Sequence, residues 1–265
     1  KNPQKNDEIN KDYKEKIKNI EKEKEKYIKE NNIDKNYNKY EYKCELCKDT
    51  GHTPDGKRCS CLTQKLIEIN YNSSNLGKKM NDENFENFSF DYYSKEKENN
   101  VISPYENMQR VYNRARRFCD CFDSEYNNML FYGAPGLGKT FLSSCIAKEL
   151  IDKCKSVIYI RASKLFSTLE DNKFGRNRDE ESVNNFYNCD LLIIDDLGTE
   201  AIMKNNNSYL FDIVDERLNR KKSIIINTNF DISDLTKIYT SRFTSRIMEN
   251  FMICRFIGDD IRLKK

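Results

Sequence analysis

The sequence predicts an α/β domain built on a parallel sheet with helices on both faces. Runs at Met129–Tyr132, Val157–Ile160, Leu191–Ile194, Ser223–Asn227 and Met252–Phe256 are dominated by apolar residues without polar alternation, as in strands buried on both sides. Stretches long enough for a helix separate most of these runs, and crossovers of that length join parallel neighbours. The first run leads into a glycine-rich loop followed by a helical pattern through about Asp152.

Three segments follow from the changes in composition. Residues 1–43 are rich in Lys, Glu and Asn, and Ile9, Tyr13, Ile17, Ile20 and Tyr27 mark a thin helical stripe, so a charged helix is expected there. Residues 44–84 hold a cysteine cluster and a connecting helix. Residues 85–265 form the α/β domain, entered through the aromatic stretch Phe85–Tyr93 and an amphipathic helix over 104–123. Because the chain opens on Lys1 without a methionine, an upstream segment is expected.

Charged residues make up 34% of the chain, yet the formal net charge is only +3, so any nucleic-acid surface has to be a local basic patch. No run approaches the roughly 20 apolar residues of a membrane helix, and no signal peptide is visible. Four of the ten cysteines fall in one short cluster and others sit inside apolar runs, which suits a reducing cytoplasm and clustered thiols that bind metal. Cys44-x2-Cys47 and Cys59-x-Cys61 bracket eleven residues, a spacing at which four thiolates can close a tetrahedral Zn²⁺ site of structural type. His52, the only histidine, lies inside that loop and is an alternative ligand.

Gly133-Ala134-Pro135-Gly136-Leu137-Gly138-Lys139-Thr140 matches G-x-x-x-x-G-K-[ST] in full, with a strand before it and a helix after it. Glycines let backbone N–H groups curl round phosphates, and the helix N-terminus adds positive potential. Lys139 then reaches the β- and γ-phosphates of ATP, and Thr140 offers its hydroxyl to Mg²⁺. Leu191-Leu-Ile-Ile-Asp195-Asp196 is a strand ending in two carboxylates, with Asp195 placed to hold Mg²⁺ and Asp196 to orient or deprotonate the attacking water. At the end of a later strand, Asn229, or less favourably Asn227, is placed to touch the γ-phosphate. Arg242 and Arg246 are four residues apart on one helix face, where either can be offered to a neighbouring subunit's γ-phosphate.

In this order the elements resemble an AAA+ ATPase, and more closely the DnaC/DnaI-type bacterial helicase loaders with their IstB-like relatives. The residues that carry the resemblance are Cys44-Glu-Leu-Cys47-Lys-Asp-Thr-Gly51 with Cys59-Ser-Cys61, the Phe85–Tyr93 entry, and Tyr132 through Phe141. Asp190 through Gly198, Asn227-Thr-Asn-Phe230 and Thr240 through Ile247 complete it, so that it covers roughly residues 44–265. It implies a five-stranded parallel sheet, ATP hydrolysis that is slow and regulated, and a replicative DNA helicase and single-stranded DNA as partners. It makes Asn229 the sensor-1 residue, Arg246 the first choice for an arginine finger acting in trans with Arg242 as its neighbour, and Arg262 a sensor-2 arginine in cis. Self-association through the finger and a bacterial cytoplasmic location follow.

The family also carries a helix after the second strand that is used for single-stranded DNA. The matching region here, Ala162–Arg178, offers Lys164, Phe166, Lys173, Phe174, Arg176 and Arg178. The zinc knuckle is expected to form a small module that contacts helicase or DNA. One departure is Asp196, where the commoner string has Glu; the shorter carboxylate suits a switch more than a motor. The alternative function is an IstB-like transposition ATPase that binds duplex DNA and a transposase. A small-molecule P-loop kinase is disfavoured by the Asn229 and Arg246 elements.

Overall fold

The apolar runs form the expected five-stranded, all-parallel sheet. The computed structural model describes residues 3–32, 42–73, 82–97, 102–153, 155–173, 180–198 and 206–264. The chain divides into two compact units, residues 1–49 and 50–265. The first contains helix α1 (Pro3–Glu30), whose Tyr13, Ile17, Ile20 and Tyr27 are all exposed along one stripe. Pairs such as Lys26–Glu30, at 3.8 Å, contribute a few tenths of a kcal/mol to a helix of this kind, about 0.3 each. No helix among the described residues is long and apolar enough to cross a membrane.

In the second unit α2 (Ser60–Ser73) and α3 (Pro104–Asp120) precede the sheet. α3 starts at a capping box: Glu106 N donates to Ser103 Oγ at 3.2 Å and Ser103 N donates to Glu106 Oε2 at 3.1 Å. Then follow β1 (Met129–Tyr132), α4 (Lys139–Asp152), β2 (Val157–Arg161), α5 (Ala162–Lys173), α6 (Glu180–Asn188) and β3 (Leu191–Leu197). The chain continues through α7 (Asn206–Asn219), β4 (Ser223–Thr228), α8 (Ile232–Ile238), α9 (Ser241–Asn250), β5 (Met252–Arg255) and a 3₁₀ turn at Ile261–Lys264. The strand order is β2-β3-β4-β1-β5.

Strand parity divides the core into two layers. Met129, Phe131, Leu191, Ile193 and Ile225 point to the face covered by α3 and α4, while Leu130, Leu192, Ile194, Ile224 and Ile226 point to the face covered by α5 through α9. The aromatic stretch before α3 packs on the first layer, with Phe88 4.9 Å from Tyr112 and 5.8 Å from Phe141 between ring centroids.

The second layer contains a buried cation that the sequence does not announce. Arg217 on α7 is 0% exposed and donates to the carbonyls of Phe186 (2.6 Å), Ser223 (2.7 Å) and Cys189 (3.0 Å). It therefore ties the end of α6 to the entries of β3 and β4. Without the guanidinium, three buried carbonyls lose their donor. Arg217→Leu is expected to lower stability by about 3 kcal/mol, read as a drop in the urea midpoint at unchanged slope.

Candidate functional site: a phosphate loop, a carboxylate network and a thiol cluster

The loop between β1 and α4 takes its shape from its glycines. Gly136 has φ +76°, and an added Cβ there would run into the Asp260 carboxylate. Gly138 is the N-cap of α4 at φ +91°, and its Cβ would come within 2.6 Å of Tyr93 Oη. No side chain caps α4, so its first backbone N–H groups are offered to an anion. Tyr93 Oη donates to Leu137 O at 3.2 Å and braces the loop from the aromatic stretch.

Lys139 is buried, and its ammonium donates to Gly133 O (2.6 Å) and Ala134 O (2.7 Å). Burial lowers its pKa to about 8; Asp195 and Asp196 oppose that shift and Arg262 adds to it.

Asp195 is 3% exposed and accepts hydrogen bonds from three residues. Thr140 Oγ1 lies 3.3 Å from both carboxylate oxygens, Tyr159 Oη donates at 2.8 Å, and Asn227 Nδ2 donates at 2.7 Å. Behind them Ser143 Oγ donates to Asn227 Oδ1 at 2.8 Å, which fixes the amide orientation. A hydroxyl and a carboxylate side by side are the hard oxygen donors that Mg²⁺ prefers. Strand parity explains the convergence. Asp195 has the same parity as Ile193, Asn227 the same as Ile225, and Tyr159 is paired with Ile193, so all three face α4.

Asp196 adopts φ +56° beside a register shift between Ile194 and Leu197. Both carboxylates line a cleft of about 740 Å³ together with Lys139, Thr140, Phe141, Asn229 and Arg262. Arg262 is held by Asp260, with Nη2–Oδ2 at 2.7 Å and Nε–Oδ1 at 2.9 Å, and Ile261 N donates to Gly136 O at 3.0 Å. Asn229 thus faces the cleft, whereas Asn227 lies beneath it as a buried support of Asp195. Tyr159, Ser143, Asn227 and Tyr93 were missed as supports because their roles arise from strand order and packing.

The arginines of α9 lie outside that cleft. Arg246 pairs with Asp215 of α7 at 2.9 Å, and with Glu249 at 3.9 Å. Arg242 is exposed and makes no hydrogen bond or ion pair among the described residues. On α5, Lys164 is exposed and Lys173 lies over the Tyr209 ring at 5.2 Å. Phe166 is buried in the second core layer, so it has no face to offer a base. Phe174, Arg176 and Arg178 lie outside the described residues.

The thiols of Cys44, Cys47, Cys59 and Cys61 all lie within 4.8 Å of one another, close enough for four bonds of ~2.3 Å to one Zn²⁺. Asp49 accepts from Cys44 N at 3.0 Å, and Cys59 N donates to Gly51 O at 2.8 Å, so each half of the cluster is shaped by its own turn. His52 is exposed and is not part of the cluster.

A family model described as "IstB-like ATP binding protein" matches residues 108–264, more than half of the chain. The chain belongs to the IstB-like ATP-binding family. Within it, the chain is similar to the replicative helicase loader DnaC of Escherichia coli K12, 29% identical over 143 residues, or 54% of this chain and 58% of that protein. The chain therefore spans less than two thirds of that relative's length. Against DnaC of Buchnera aphidicola subsp. Baizongia pistaciae it is 29% identical over 192 residues, 71% of this chain and 75% of that one. A crystal structure of the DnaC helicase loader superposes with a TM-score of 0.54 at 24% identity, over 64% of this chain and 96% of that one. That likeness shows a shared fold, here a five-stranded parallel sheet with flanking helices.

Two measurements follow from the geometry. Burial lowers the Lys139 pKa to about 8 in the free protein, and only its ammonium form would attract a phosphate. ATP affinity is therefore expected to fall as pH rises through 8, by up to about tenfold per unit above it. Calorimetry at pH 8.5 in buffers of different ionisation enthalpy should show proton uptake on binding; none would remove the shift. Metal analysis of the purified chain should give about one Zn per chain, and Cys59→Ser should lower that content sharply.

Proposed function

We propose that this chain is an ATP-dependent loader of the replicative DNA helicase onto single-stranded DNA, with nucleotide binding and hydrolysis acting as a switch. The observation that carries the reading is the alignment of this chain with proteins named replicative helicase loaders, over 71% of its length in the Buchnera case.

The residues fit the parts the reading needs. The α4 N-terminus and Lys139 suit the phosphates of ATP, and Thr140 with Asp195 suits Mg²⁺, which when bound neutralises charge on the β- and γ-phosphates. Asp196 lines the cleft separately from Asp195 and is assigned to orient the attacking water, with Asn229 as its partner toward the γ-phosphate. Arg262 is the cis cation. The trans cation comes from α9: Arg242 stands exposed with no partner among the described residues, and Arg246 would exchange Asp215 for phosphate. That exchange is cheap, because a half-exposed ion pair is worth about 1 kcal/mol or less. Lys164 and Lys173 are the described cations of the proposed single-stranded DNA surface. The cysteine knuckle, with Zn²⁺ bound, is assigned a structural role in partner contact.

The family model's own name favours a second reading, an IstB-like transposition ATPase that grips duplex DNA and a transposase. A pull-down with the replicative helicase and with a transposase separates the two, and ATP-dependent capture of helicase is the expected result. Tight transposase binding without helicase would overturn the loader reading. With helicase and single-stranded DNA present, Arg242→Ala or Arg246→Ala should keep nucleotide binding and lose hydrolysis by roughly 10²–10³-fold. Wild-type rates in both variants would remove the trans finger.

A further inference from the structure

Helix α1 carries a stripe that the proposed hydrolysis does not use. Tyr13, Ile17, Ile20 and Tyr27 are each more than half exposed. Their spacing fits the seam of a heptad repeat, along which a coiled coil buries one helix against another. Lys24 takes the seam position between Ile20 and Tyr27. Beside the seam, Lys14 and Glu21 lie along one flank, and Lys16 and Glu23 along the other. On both flanks the charge therefore changes from positive to negative along the helix.

That reversal makes the face complementary to itself in one arrangement. With two helices antiparallel and Ile17 of each against Ile20 of the other, Lys14 faces Glu21 and Lys16 faces Glu23 in both directions. Lys24 then lies against the Tyr13 ring of the second helix, its stem on the apolar seam and its ammonium toward the aromatic face. Sliding one helix by a heptad one way sets Glu21 against Glu21 and Glu23 against Glu23. Sliding it the other way sets Lys14 against Lys14 and Lys16 against Lys16. A parallel pair places Lys24 on Lys24 and keeps only the Lys16 to Glu21 attraction. We propose that the stripe of α1 is a dimerisation surface, and that its occupant is α1 of a second copy of this chain, antiparallel in that register. The inference concerns α1 alone and stands apart from the loader reading.

The test exchanges these charges in the full chain, without nucleotide, and follows mass by light scattering. Wild type should rise from 31.5 kDa toward twice that mass as its concentration approaches roughly 100 µM. Glu21→Lys with Glu23→Lys makes the four flanking positions from 14 to 23 all basic, and Lys14→Glu with Lys16→Glu makes them all acidic. Each double variant should stay monomeric alone, and an equimolar mixture of the two should recover the dimer. A photo-crosslinking phenylalanine analogue at position 13 should join the second chain around Lys24. Monomeric wild type over that range would overturn the proposal. Double variants that dimerise alone would also overturn it, because association would then run through another surface such as α9. A crosslink from position 13 to position 13 of the second chain would overturn the antiparallel register.

Discussion

A single buried carboxylate organises this cleft. Asp195 sits at the end of a strand enclosed on both faces, where an ionised group is tolerated only if donors surround it. Thr140, Tyr159 and Asn227 supply those donors from α4, β2 and β4. The strands and the helix cannot shift independently without leaving Asp195 unsatisfied. The phosphate loop is therefore held to the sheet by a hydrogen-bonded centre as well as by apolar packing.

Around that centre, cations and anions are kept in reserve by their own neighbours. Lys139 rests on loop carbonyls, Arg262 on Asp260 and Arg246 on Asp215. Each contact is one that a phosphate could replace with a charge-assisted bond of equal or greater strength. In the free protein such contacts limit the cost of a concentrated patch of like charge. Asp260 has a second task, because its carboxylate occupies the space beside Gly136 that any side chain would claim.

Much of this was legible in the chain. Strands buried on both faces leave uninterrupted apolar runs, and the glycine-lysine-threonine string leaves little conformational choice. The cysteine spacing likewise anticipated a four-thiol cluster, whereas His52, the alternative ligand, falls outside it. Three features were not legible. Asn227 and Asn229 look alike in sequence, and only strand parity sends Asn227 beneath the cleft. Tyr159 acquires a role because β2 lies beside β3, which spacing alone does not reveal. Arg217 reads as one more helix cation until the carbonyls of α6, of Cys189 just before β3 and of Ser223 at the start of β4 close around it. Phe166 shows the converse: an aromatic residue expected at a nucleic-acid surface belongs to the core, because the helix presents that face to the sheet.

The register shift in β3 has a further consequence. In an unbroken strand, neighbouring residues face opposite layers, and two successive carboxylates would be divided by the sheet. The shift and the left-handed backbone at Asp196 let two successive carboxylates line the same cleft, the first of them held by Thr140, Tyr159 and Asn227. Under the proposed function, grip and timing are thereby written at adjacent but uncoupled positions. Evolution can retune how long the switch stays on by exchanging a single side chain, while the foundation that holds the nucleotide remains untouched.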